Sequence, residues 1–137
     1  MPNAFAHIEL STDDLKKAEK FYQSVFAWKL RPMPKVKYTM IEVGKGTGGG
    51  MQKKQMPDAP NAWLPYVEVD DVKKTVAKAA KAGAKVMLDY MPIGEMGAIG
   101  IFADPSGAAI GVWQQKAEAP KAAAKKAGKK KAAKKKR

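Results

Sequence analysis

The 137-residue sequence contains no cysteine, which excludes disulfides, thiolate metal ligands and a cysteine nucleophile. Histidine occurs once, at His7, so a site built from several imidazoles is also excluded. No apolar run approaches the roughly 18 residues that a membrane-spanning helix needs. The first residues, Met1 to Phe5, lack the basic start and apolar middle of a secretion signal. We therefore expect a cytoplasmic protein without a membrane span.

The net charge of +13 is concentrated at one end of the chain. Residues 116–137 hold 11 Lys or Arg and one acid, Glu118, whereas residues 1–115 are nearly balanced at +3. The basic segment is rich in Ala and Lys and has no bulky apolar residue from which to make a core. The composition predicts one globular domain over residues 1–115, followed by a disordered tail over residues 116–137.

A five-residue pattern occurs twice in the globular part. The sequence DDLKK at residues 13–17 returns 57 residues later as DDVKK at residues 70–74, each after an apolar run and before a helical stretch. Internal similarity of this kind indicates one supersecondary unit built twice. Hydrophobic periodicity gives each copy the order strand, helix, three strands, so the predicted class is α+β. Module one covers about residues 4–55 and module two about residues 61–115.

Three segments, in matching order, are similar to the vicinal oxygen chelate superfamily, which includes glyoxalase I, bleomycin-resistance proteins and extradiol dioxygenases. The segments are FYQSVFAW at residues 21–28, WLPYVEVDDV at residues 63–72 and FADPSGAAIGVWQ at residues 102–114. The resemblance covers residues 4–115. It implies two tandem βαβββ modules whose curved mixed sheet surrounds a cleft. Superfamily relatives often pair, so the resemblance is also consistent with a homodimer.

Enzymes of that superfamily usually hold a divalent metal with one His or Glu from the first and last strands of each module. The corresponding positions in this sequence are His7, then Met51 or Gln52, then Leu64 and Gly111. A lone imidazole cannot hold a catalytic divalent ion tightly. We therefore predict no metal and no other cofactor, and we do not expect glyoxalase I or ring-cleaving oxygenase activity. A metal would need Glu9, Glu42 or Glu68 to turn inward beside His7.

Strand alternation indicates which side chains reach the predicted cleft, because successive residues face opposite sides of a sheet. If His7 points inward, Glu9 does too, and the lining is aromatic and apolar with a few polar groups. Such a lining suits a small organic ligand. The predicted ligand-binding residues are Phe5, Gln52, Leu64, Tyr66, Phe102 and Trp113.

His7 and Glu9 are the candidate catalytic residues, since an imidazole is the natural proton shuttle near neutral pH. The alternative for His7 is a partly buried imidazole left over from a metal-binding ancestor. For Tyr66 and Trp113 the alternative is packing in the core or at a dimer interface.

Three functions remain open from the sequence. The leading hypothesis is a protein that binds an unknown small molecule in a metal-free cleft. The second is a metal-independent lyase, isomerase or hydrolase that uses His7 and a carboxylate. The third is a drug-sequestering protein similar to the bleomycin-resistance members.

The basic tail resembles the Ala/Lys/Pro tails of linker histones and bacterial histone-like proteins. Lysines bind phosphate backbones by releasing counterions, without reading base sequence. We expect nonspecific nucleic-acid attachment and association with the nucleoid; a solubilising role and contact with an anionic membrane surface are the alternatives. The predicted nucleic-acid-binding residues are Lys125, Lys126, Lys129, Lys130, Lys131, Lys134, Lys135, Lys136 and Arg137.

Overall fold

The computed structural model describes residues 3–116, which form eight strands, two α-helices and one short 3-10 turn. The α+β class is confirmed, and the sheet is mixed. In chain order the elements are β1 (Phe5–Thr12), α1 (Leu15–Val25), β2 (Lys29–Met33), the 3-10 turn (Pro34–Val36), β3 (Tyr38–Glu42), β4 (Gly49–Lys53), β5 (Ala62–Glu68), α2 (Val72–Lys81), β6 (Lys85–Ile93), β7 (Gly97–Ala103) and β8 (Ala109–Gln115).

The two helices begin in the same way. The Asp14 carboxylate accepts a hydrogen bond of 3.0 Å from the backbone amide of Lys17, and Asp71 accepts one of 3.0 Å from Lys74. A side-chain oxygen at this position satisfies an amide that the first helical turn leaves without a partner. The repeated Asp-Asp pattern of the sequence therefore marks both helix starts.

One eight-stranded sheet runs through the described residues in the order β2-β3-β4-β1-β5-β8-β7-β6. β1 lies near its centre, pairing with β4 in parallel and with β5 in antiparallel orientation. β5 in turn pairs in parallel with β8. The first and last strands of both halves of the chain are therefore neighbours in the middle of the sheet.

Both helices pack on one face of this sheet. Under α1 the buried core consists of Leu10, Ile41 and Met51, and Met51 has no exposed surface. Under α2 the buried cluster includes Val72 and Val112. Because strand residues alternate, the side chains next to Leu10 and Val112 in sequence point to the opposite, helix-free face.

The strand β2 contains a proline: Pro32 lies opposite Thr39 of β3. β2 is an edge strand, where a residue without a backbone N–H is tolerated. Within residues 3–116 no helix has the length and apolar character to cross a membrane.

Candidate functional site

The helix-free face carries a polar cluster centred on Glu9. The hydroxyl of Tyr38 donates a hydrogen bond of 2.8 Å to Glu9 Oε2. Gln52 Nε2 and the Tyr66 hydroxyl donate to Glu9 Oε1 at 3.1 and 3.4 Å. A carboxylate that accepts several hydrogen bonds is held in one position, so these donors fix the orientation of Glu9.

His7 joins the cluster through Tyr38. His7 Nε2 lies 2.7 Å from the Tyr38 hydroxyl oxygen and 3.9 Å from Glu9 Oε2. Tyr38 has one hydroxyl proton and gives it to the carboxylate, which is the stronger acceptor. His7 Nε2 must then carry the proton and donate to Tyr38, which assigns the Nε2–H tautomer. The other nitrogen, Nδ1, keeps its lone pair.

Burial and the charge of Glu9 set the protonation of this cluster. Burial lowers the pKa of His7 below its usual value of 6.5, and the nearby Glu9 carboxylate opposes that shift. Burial, followed by the charge and hydrogen bonding of Glu9, raises the pKa of Tyr38 and Tyr66 well above the usual range. The imidazole is therefore neutral at pH 7, and both hydroxyls remain donors.

Two glycines make room for the tyrosines. A Cβ at Gly50 would lie 1.9 Å from the Tyr38 hydroxyl oxygen, and one at Gly111 would lie 2.4 Å from the ring of Tyr66. Gly50 lies opposite Glu9 in the β1–β4 register, and Gly111 lies opposite Tyr66 in the β5–β8 register. Any larger residue at either position would push a donor away from Glu9.

Several predicted site residues meet on this face. The β1–β5 register places His7 beside Tyr66 and Glu9 beside Leu64. Gln52 reaches Glu9 from β4. The site therefore unites His7, Glu9, Gln52, Leu64 and Tyr66 around one carboxylate.

Among residues 3–116, the remaining predicted ligand-binding residues make no side-chain hydrogen bond to this cluster. Trp113 has the same parity as Gly111 but packs toward Gly97, where a Cβ would lie 2.9 Å from its ring. A register shift between Phe5 and His7 interrupts the alternation, and Phe5 remains largely exposed. The expectation that Phe102 lines this face is wrong, because Phe102 packs against the core cluster under α2.

Tyr38 is the site residue that the sequence did not reveal. It is the first residue of β3, and nothing in the neighbouring sequence marks it as functional. The β3–β4 register brings it opposite Gln52, beside Gly50. A glycine inside a strand can mark the close approach of another group, and Gly50 was the available signal.

The four positions at which superfamily enzymes hold a metal do not fit a metal here. Leu64 has no donor atom, and Gly111 has no side chain; the ring of Tyr66 occupies the space beside it. At the fourth-strand position Met51 is buried under α1, and Gln52 is bonded to Glu9. Within residues 3–116 no three His, Cys, Asp or Glu side chains are grouped as metal ligands would be.

Comparison with known proteins agrees with this architecture. Residues 4–44 match the family model described as bleomycin resistance protein-like N-terminal. A Mycobacterium bovis protein named as a glyoxylase, CFP32, is 35% identical over 115 residues, which cover 78% of this chain and 44% of that protein. The chain thus spans less than half the length of that relative.

Solved structures share the fold at low sequence identity. A protein of Bacillus halodurans superposes with a TM-score of 0.63 at 14% identity, covering 87% of this chain and 99% of its own. A methylmalonyl-CoA epimerase from Mycobacterium tuberculosis gives a TM-score of 0.60 at 14% identity, and the superposition covers 88% of this chain and 91% of the epimerase chain. Together with the family match and the glyoxylase relative, these likenesses support the vicinal oxygen chelate superfamily.

Proposed function

We propose that this protein binds a small organic molecule on the helix-free face, over Glu9, without a metal. The observation that carries the proposal is a carboxylate only 16% exposed that faces three hydrogen-bond donors. No lysine or arginine pairs with Glu9 among residues 3–116. A buried carboxylate held in place by neutral donors is pre-organised to receive a further polar group.

The chemistry of the site favours a neutral or cationic ligand with an apolar body. His7 is 29% exposed and presents a neutral imidazole, which can accept a hydrogen bond at Nδ1. Leu64 lies beside Glu9 and offers an apolar contact. A methylmalonyl-CoA epimerase of similar fold was solved with methylmalonyl-CoA, which supports small-molecule binding by this architecture. In this chain the unpaired charge of Glu9 would repel an anionic group placed there.

A thermal-shift screen of a small-molecule library, grouped by charge, tests this proposal. Neutral and cationic hits should raise the Tm of the wild-type protein and lose most of that effect in Glu9→Gln. Glu95→Gln is the matched control, because the Glu95 side chain is 93% exposed and lies in the turn after β6. The assignment of the site would be refuted if no hit lost its stabilising effect in Glu9→Gln.

A metal-independent isomerase, lyase or hydrolase is the second candidate, favoured by the hydrogen-bond chain from His7 through Tyr38 to Glu9. His7 Nδ1 would take a proton from a bound substrate, and the nearby carboxylate would stabilise the resulting imidazolium. If that proton comes from carbon, as in an isomerase or a lyase, ligands from the screen incubated with the protein in D2O should gain deuterium at that carbon; a hydrolase would instead take the proton from water and release cleaved products. His7→Asn should abolish that exchange, and equal exchange in the variant would exclude His7 as the base. Drug sequestration predicts binding without any exchange.

The two halves of the globular part are best interpreted as copies of one module, residues 4–55 and residues 61–115. Two observations support this proposal: the matching Asp14 and Asp71 helix caps, and the parallel pairing of first with last strand in each half. The homodimer expected from the resemblance stays a prediction.

Nonspecific attachment to nucleic acid is proposed for the tail, whose basic residues from Lys125 to Arg137 lie outside the described residues. The proposal rests on composition, since residues 116–137 carry 11 of the chain's 26 basic side chains. Deleting residues 117–137 should abolish salt-sensitive retardation of duplex DNA. Replacing the tail lysines by glutamine is the control for length. Equal retardation by the truncated chain would contradict the assignment, and binding to anionic vesicles alone would indicate the membrane alternative.

A further inference from the structure

A hollow of about 180 Å³ opens on the helix side of the sheet, away from Glu9. It lies between the segment that follows α1 and the strands β1, β3 and β5. Ile41, which is buried in the core under α1, contributes to its wall, and Ile8 and Trp63 are both partly exposed. Its lining consists of Ile8, Trp28, Ile41, Val43, Thr47, Gly48, Gly49 and Trp63.

The hollow and the Glu9 cluster are separated by β1. Ile8 lines the hollow, whereas its neighbours His7 and Glu9 belong to the cluster on the opposite face. The two sites therefore share a strand but no side chain. The function proposed for Glu9 does not use this hollow.

The lining is aromatic and aliphatic. The rings of Trp28 and Trp63 lie 6.2 Å apart with an interplanar angle of 76°, an edge-to-face arrangement that suits a further aromatic ring. Apart from the indole N–H groups of Trp28 and Trp63, Thr47 supplies the one polar side-chain group of the lining, and no lining residue is charged. The Thr47 hydroxyl donates to the carbonyl of Phe5 at 3.1 Å, so its oxygen can still accept a hydrogen bond.

The size and chemistry of the hollow together indicate its ligand. The hollow is open to solvent on one side, and its volume is similar to that of an engineered apolar cavity of about 150 Å³ that binds benzene. Ordered water needs two to four polar partners, and this lining offers few. We propose that the hollow is a second binding site, for a neutral aromatic molecule of one or two rings whose polar N–H or O–H group contacts Thr47.

Indole is a suitable probe because the tryptophan side chains of the protein report binding both inside and outside the hollow. Of the three tryptophans, Trp28 and Trp63 line the hollow, whereas Trp113 lies in β8. In two-dimensional ¹H–¹⁵N NMR of the full chain, unlabelled indole should shift the side-chain N–H signals of Trp28 and Trp63 saturably. The Trp113 signal should remain unchanged.

A filling variant tests the same site by a second route. Val43→Phe places a ring in the hollow and should weaken indole binding by about tenfold or more. Val25→Phe is the control, because Val25 is exposed on α1 and does not line the hollow. Val25→Phe should change the affinity less than about twofold.

Three results would overturn the proposal. One is the absence of saturable shifts up to the solubility limit of indole. Another is indole-induced shifts centred on Trp113 and His7, which would assign indole to the helix-free face. Because this result is measured on the wild-type chain, it refutes the proposal even if Val43→Phe does not fold. The third is a dimer whose Trp28 and Trp63 signals depend on protein concentration without indole, which would make this surface an interface between copies.

Discussion

Replacing Glu9 by glutamine removes the charge from the centre of the polar cluster while keeping the shape of the side chain. Hydrogen bonds to charged groups contribute about 1.5–3 kcal/mol, against about 0.5–1.5 kcal/mol between neutral groups. The contacts from Tyr38 and Gln52, at 2.8 and 3.1 Å, are short enough to lose that difference, whereas the contact from Tyr66 at 3.4 Å is weaker. We expect Glu9→Gln to lower the free energy of unfolding by about 2 kcal/mol.

Urea unfolding at pH 7 measures this change, and for a domain of this size it corresponds to a fall in Tm of about 8 °C. Glu95→Gln should change the free energy of unfolding by less than about 0.5 kcal/mol. A second measurement isolates the charge. Burial is the larger cause of the raised pKa of Tyr38 and Tyr66, but the charge of Glu9 adds to it, so their ¹³Cζ resonances should begin to titrate at lower pH in Glu9→Gln than in the wild type.

The reasoning would be refuted if Glu9→Gln and Glu95→Gln had equal stability and the tyrosine titrations did not move. That result would mean that the three donors do not depend on the carboxylate in solution. A loss of stability without a change in the titrations would instead indicate a packing defect, and it would also contradict the electrostatic account.

Three further predictions concern the neighbours of Glu9. Burial lowers the pKa of His7, so on acidification the unfolded chain takes up a proton before the folded protein does. The free energy of unfolding of the wild type should therefore fall as pH drops below about 6.5, whereas that of His7→Asn should not. Urea unfolding between pH 7.5 and 5.5 measures this difference. Gly111→Ala should lower the free energy of unfolding by about 1–3 kcal/mol, because the new Cβ meets the ring of Tyr66. Adding Tyr66→Ala removes that clash, so in a double-mutant cycle the two changes should together destabilise less than their sum; strict additivity would show that the ring does not occupy this space.

The sequence contained enough local information to locate most elements of the fold. The caps at Asp14 and Asp71 satisfy amides three residues away, so their signals lie within one turn of chain. Alternation along β1 and β5 placed His7, Glu9 and Tyr66 on a shared face, and the antiparallel register agrees. Both kinds of prediction depend on neighbouring residues alone.

Predictions that depend on the meeting of distant strands were less successful. Tyr38 reaches Glu9 because β3, β4 and β1 are neighbours in that order, which no local pattern indicates. Phe102 lies two residues after Gly100 in β7 and so faces the same side of the sheet, where a Cβ at Gly100 would contact α2. Phe102 therefore packs against the core under α2. The register shift after Phe5 similarly has no signal in the sequence.

The position of a bound ligand tests the central claim most directly. Intermolecular nuclear Overhauser effects can be measured between the ¹³C-labelled full chain and an unlabelled hit that stabilises the wild type but not Glu9→Gln. The account predicts contacts from the hit to the ring of His7 and the methyl groups of Leu64, with both sets lost in Glu9→Gln. Contacts confined to the helix side of the sheet, with none to His7 or Leu64, would contradict it.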